Sequence, residues 1–157
     1  MIKIKIVCVG KIKENYFVDA VKEYEKRLSR YCQFQIKELK EENFNDNPTE
    51  SDIKSIIKKE GESILKEIKG KAILLDIKGK EYSSVEFSTL IKDFIDKGEE
   101  VTFIIGGSYG VSQEVKDKAH AKISFSKMTF PHTMFRVMLV EQIYRAYTII
   151  NGAKYHK

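Results

Sequence analysis

Short apolar runs alternate with amphipathic helical stretches along the whole chain, and no other feature narrows the possible folds so far. Residues 2–9 open with isoleucines alternating with lysines and end on Val7-Cys8-Val9, a strand whose far end is buried on both faces. Further strands are predicted at Gln33–Leu39, Ala72–Ile77, Val101–Ile105 and Ile123–Ser126. Between them Phe17, Ala20, Val21, Tyr24 and Leu28 recur at helical spacing, and so do Phe87, Leu90, Ile91, Phe94 and Ile95. A third stripe runs through Ile53, Ile56, Ile57, Ile64, Leu65 and Ile68. Strands separated by helices pair in parallel, so the expected fold class is α/β, a mainly parallel sheet with helices on both faces. With no repeat and no linker, residues 1–157 form one domain.

Local signals set the element ends. Lys40 to Thr49 is polar and contains Asn-Asp-Asn-Pro, a loop, and Glu50 and Asp52 then favour the first turn of a helix. Gly61 weakens that helix at its middle. Ser83 with Glu86 is a capping box, Gly98 a helix stop, and Ser112 the start of a short helix carrying Val115.

No apolar run reaches bilayer length, and Met1 to Ile6 lacks the continuous apolar segment of a signal peptide. A cytoplasmic protein without a membrane partner is expected. Cys8 and Cys32 lack metal-ligand spacing and read as reduced, packed thiols; no metal site is expected. The net charge of +5 resides in the segment from Lys122 to Lys157, where six basic residues face the single acid Glu141. A local basic excess beside a ligand loop suits a polyanion, most simply nucleic acid.

The run from Met134 to Ile150 is apolar on nearly every side of a helix. One sheet face in so small a domain cannot cover it, so a homodimer is predicted. Glu141 and Arg145, one turn apart, should pair on its narrow polar stripe.

Two strand-plus-loop stretches carry the chemistry. Gly106-Gly107-Ser108-Tyr109-Gly110 follows a strand but matches neither a dinucleotide fingerprint nor a triphosphate loop. The second is Ile123 to His132, where Pro131 suits the first helical turn and Thr129 could cap exposed amides. Neutral backbone groups between apolar walls suit an uncharged heteroaromatic such as adenine. A triphosphate would need more cationic and amide density.

Phe125-Ser126-Lys127-Met128-Thr129-Phe130-Pro131-His132, then Arg136, then Glu141-Gln142-Ile143-Tyr144-Arg145-Ala146, resemble the signature of the ribosomal large-subunit methyltransferase H family, small knotted methyltransferases of the SPOUT superfamily. Ile105-Gly106-Gly107-Ser108 with Gly110, Gly10-Lys11, the Tyr24 to Leu28 helix and the terminal Tyr155-His156-Lys157 are similar too, so the resemblance covers the chain. Lys157 departs, since many members carry Arg there. The resemblance implies a C-terminal trefoil knot, a homodimer, and S-adenosyl-L-methionine held between knot loops. It implies methylation at N3 of a pseudouridine in helix 69 of 23S rRNA, on the ribosome. By position, Leu75, Gly106, Phe125, Ser126, Lys127, Met128, Thr129 and Phe130 would contact that cofactor.

For the catalytic group His132 and His156 are the acid–base candidates, histidine being the usual side chain for proton transfer. Tyr155 could stack on a base, and Arg136 and Arg145 could hold phosphate or stabilise an anion. The tail 151–157 is expected to reach the partner's active site, and His120 reads as plain surface. A non-catalytic RNA-binding module is the alternative. A nucleotide-binding oxidoreductase is disfavoured by the missing fingerprint.

Overall fold

The computed structural model describes residues 1–43 and 45–157; Phe44, within the expected Lys40–Thr49 loop, lies outside them. Strands and helices alternate in the order β1 (Lys3–Val9), α1 (Asn15–Leu28), β2 (Gln33–Leu39), α2 (Glu50–Glu67), β3 (Lys71–Glu81), α3 (Ser84–Lys97), β4 (Val101–Ile105), α4 (Gln113–Lys118), β5 (Ala121–Ser124) and α5 (His132–Ile150). The strands form one sheet in the order β2-β1-β4-β3-β5, parallel at every pairing.

Handedness distributes the helices. Parallel crossovers are right-handed, so each reversal of direction along the sheet must change face. The chain steps from β1 to β2, back across to β3, returns to β4, then crosses to β5. Accordingly α1 and α3 share one face with α5, whose Leu139, Val140, Ile143 and Ala146 pack with Leu28, Ile91, Phe94 and the strand residues Ile4, Ile6 and Phe103. On the other face α2 and α4 contribute Ile64 and Val115 against Val7, Val9, Leu74 and Ile104. Adjacent strand residues thus feed opposite cores, which is why the middle strands read as unbroken apolar runs.

The caps form where the sequence puts them. Thr49 and Asp52 exchange hydrogen bonds at the start of α2, as do Ser83 and Glu86 at α3, and α3 ends on Gly98 in the left-handed region (φ 65°). Ser112 caps α4.

Three expectations are corrected. The third strand runs to Glu81 rather than Ile77, because β3 pairs with β5 twice: Leu75 and Lys80 both register with Ile123, and residues 76–79 bow out between them. Gly79 permits this, since a Cβ there would lie 2.6 Å from the carbonyl carbon of Lys122. The last helix begins at His132, which leaves Pro131 at the N-cap with no side-chain cap, so Thr129 does not cap it. The last strand spans Ala121–Ser124, two residues earlier than expected, because the chain turns where Ser126 Oγ accepts from the Met128 amide.

Candidate active site

A cavity of about 510 Å³ opens at the C-terminal ends of β4 and β5 and at the bowed middle of β3, which lies between them in the sheet. Leu74 and Leu75 line it from β3, Ile105 from β4, and Ile123 and Ser124 from β5. The bow in β3 adds Asp76 and Ile77, and the loop after β4 adds Gly106 to Val111. That loop is closed by the Gly110 amide donating to the Gly107 carbonyl at 3.1 Å. The stretch after β5 contributes Phe125, Ser126, Met128, Thr129 and Phe130, and α5 contributes His132 and Phe135. Ser124 Oγ donates to the Ser126 carbonyl at 3.0 Å, and Phe125 and Phe130 both pack on Phe135. The walls are mostly apolar. Asp76 supplies their carboxylate and Lys116 their ammonium group.

Of the residues expected at the cofactor, Leu75, Gly106, Phe125, Ser126, Met128, Thr129 and Phe130 come together in this lining. Lys127 does not; its side chain is exposed outside it. His132 lies in the lining at the start of α5, its Cε1 3.3 Å from where a Cβ on Gly10 would stand. Its Nδ1 is buried without a hydrogen-bond partner among the described residues. Asp76, Ile77 and Lys116 were missed by sequence reasoning. The strand signal ends at Ile77, and only the pairing with β5 turns that end into a wall.

The pattern of a family described as "Predicted SPOUT methyltransferase" matches residues 2–156. The chain belongs to the SPOUT methyltransferases. Within that family it is 52% identical over 157 residues to the "Ribosomal RNA large subunit methyltransferase H" of Clostridium tetani, covering 98% of this chain and 99% of the relative. Proteins of the same name from Caldicellulosiruptor saccharolyticus and Streptococcus uberis are 49% and 48% identical, with 98% and 99% of this chain and 99% of each relative covered.

In this SPOUT methyltransferase the remaining candidates lie away from the cavity lining. Arg136 is 1% exposed: it donates to Glu38 Oε2 at 2.6 Å and to the Gly10 carbonyl at 3.3 Å. It is therefore not presented to phosphate; it pins the start of α5 over the ends of β1 and β2. Tyr155, His156 and Arg145 cluster near the far end of α5, about 20 Å along the axis from His132. Arg145 pairs with Glu141 at 2.6 Å, its guanidinium lies 4.7 Å from the Tyr155 ring centre, and its Nη1 is 3.2 Å from His156 Nδ1. The Tyr155 hydroxyl donates to Glu141 Oε1 at 3.1 Å. Burial, then hydrogen bonds with Tyr24 and Glu141, raise the Tyr155 pKa above the usual phenol value, so it stays a donor. With Arg136 and Arg145 both matched to carboxylates, the basic excess of the C-terminal segment reduces to its lysines. His120 is exposed. Among the described residues there is no cluster of His, Cys, Asp or Glu that could hold a metal ion, and no helix is long and apolar enough to cross a membrane.

Proposed function

We propose that the cavity takes S-adenosyl-L-methionine as methyl donor and that the protein methylates N3 of a pseudouridine in helix 69 of 23S rRNA, on the assembled ribosome in the cytoplasm. The observation that carries this reading is the gathering of seven cofactor candidates and His132 around one apolar-walled cavity at the tips of β4 and β5 and the bow of β3. Such walls with main-chain polar groups suit an adenine ring. Asp76 and Lys116 would serve the cationic and carboxylate portions of a sulfonium amino acid.

Bound there, the donor supplies a methyl group already activated on sulfur, so the acceptor needs position and a proton acceptor. His132 is the candidate base nearest the cavity. His156 and Tyr155, distant from the cavity of their own protomer, would act in the partner's site within a homodimer, His156 on the proton and Tyr155 by stacking on a base. Arg145, paired with Glu141, would hold Tyr155 and His156 in place there.

Mass mapping of 23S rRNA from cells with and without the gene tests the reading: one methyl group on the helix 69 loop should disappear with the gene, and an unchanged map would refute the assignment. Titration calorimetry should give micromolar binding of S-adenosyl-L-methionine. No binding would favour an RNA-binding module without catalysis. His156→Ala and Tyr155→Ala should each lower methyl transfer at least tenfold while the donor's affinity stays put, the pattern of groups that act on the acceptor; unchanged turnover in both would eliminate a catalytic tail.

A further inference from the structure

Beneath the loop Gly106–Gly110, α2 carries Glu60 and Gly61, both buried at mid-helix. Their neighbours explain both residues. A Cβ on Gly61 would stand 2.4 Å from Ser112 Oγ, the hydroxyl that caps α4, and one on Gly107 would stand 2.7 Å from Glu60 Oε1 and 3.2 Å from Val9 Cγ1. The helix thus meets the loop at Gly107 and meets its exit at Ser112, with no room for a side chain at either contact. The local weakness of Gly61 in a helix is the condition for this approach.

Glu60 is 3% exposed. Its Oε2 accepts from the Glu42 amide at 3.0 Å, and its Oε1 is buried with no hydrogen-bond partner among the described residues. The carboxyl therefore stands between the segment leading into α2 and the main chain of the cavity loop. We propose that Glu60 is a positioning residue for that loop, bridging Gly107 to the backbone at Glu42 and so setting how deep the Gly106–Gly110 wall sits in the cavity. Its value for methyl-donor binding rests on the function proposed above; its support of the loop does not.

The surroundings of the carboxyl favour its protonated form. Burial raises its pKa and the nearby Glu41 and Glu42 add to the effect, against the opposing bond from the Glu42 amide, while Gly107 and Val9 bring no charge to it. An unpaired carboxylate in this position would be costly. As pH rises through the raised pKa, ionisation should loosen the loop.

The test uses the full chain as wild type, Glu60→Gln and Glu60→Ala. Amide exchange without ligand, followed by mass spectrometry, compares residues 106–112 with α3 in the same molecule; calorimetry with S-adenosyl-L-methionine follows affinity against pH. Glu60→Ala should speed loop exchange relative to α3 and weaken the donor, each about tenfold, the size of one lost buried hydrogen bond. Glu60→Gln, which cannot ionise, should keep the loop's protection and lose the weakening that wild type shows as pH rises through the raised pKa of Glu60. Exchange raised equally in α3 and the loop, or unchanged in Glu60→Ala, overturns the proposal. So does a loosened loop with unchanged affinity. Should wild type itself fail to bind the donor, the proposed function falls, and loop exchange alone still decides whether Glu60 positions the wall.

Discussion

Burial pushes the thiols of Cys8 and Cys32 from 9.0 up to about 11, against a lowering by Arg136 at Cys8 and by a hydrogen bond with Tyr147 at Cys32. An unfolded chain loses these protons above pH 9 and the folded chain holds them until about 11, so their contribution is complete below pH 9 and is lost as pH rises through that window. By pH 10.5 the loss should be about 2 kcal/mol for each thiol. Urea unfolding at pH 8 and pH 10.5, against a Cys8→Ala/Cys32→Ala double variant with the smaller drop, measures it; equal drops would contradict the assignment. Arg136 carries a second expectation. Glu38→Ala leaves a buried guanidinium without its carboxylate and should destabilise the fold by about 3 kcal/mol in the same assay. The type of Arg136 and its place one turn after His132 are visible in the sequence, and both suggest a ligand group. Its partner stands 98 positions away on strand β2, and no local pattern joins the two.

Elements whose ends depend on near neighbours were legible. Ser83 with Glu86 and Gly98 do what their spacing says, and Asp52 sits in the first turn of α2 as expected, because every partner lies within one turn. The third strand was not, because its length depends on a partner strand far along the chain. From Leu75 to Lys80 its register jumps while β5 stays at Ile123, and the residues set free become a wall of the cavity. Two glycines separate these cases. Gly98→Ala places a side chain in open space at φ 65° and should lower stability by about 1 kcal/mol, from backbone strain alone, with donor affinity intact. Gly79→Ala meets the backbone of Lys122 and Ile123 and should lower stability by about 2 kcal/mol and weaken the donor as well. Thermal unfolding and calorimetry on both variants check the contrast; equal donor affinity in the two would show that the bow plays no part in binding.

For the whole molecule, the helical and strand periods were enough to place one sheet between two helical layers, and of the eight cofactor candidates that the family resemblance implied, seven lie together in the cavity lining. The end helix behaves as its composition demands. One side is buried in the core, and the rest still presents Met134 at 37% exposure beside half-buried Phe135, Val137 and Met138. Light scattering at micromolar protein should return twice the mass of 18.2 kDa, and the monomer mass would leave that face unexplained.

The pairing of β5 with the bowed part of β3 sets a schedule for biosynthesis. A chain still being translated can assemble four strands and four helices while the future pocket remains a bare trough. It becomes able to hold anything only when the final stretch has been made and seated beside Leu75 and Lys80. Prematurely terminated products would consequently be inert toward the donor, however well their earlier parts had folded.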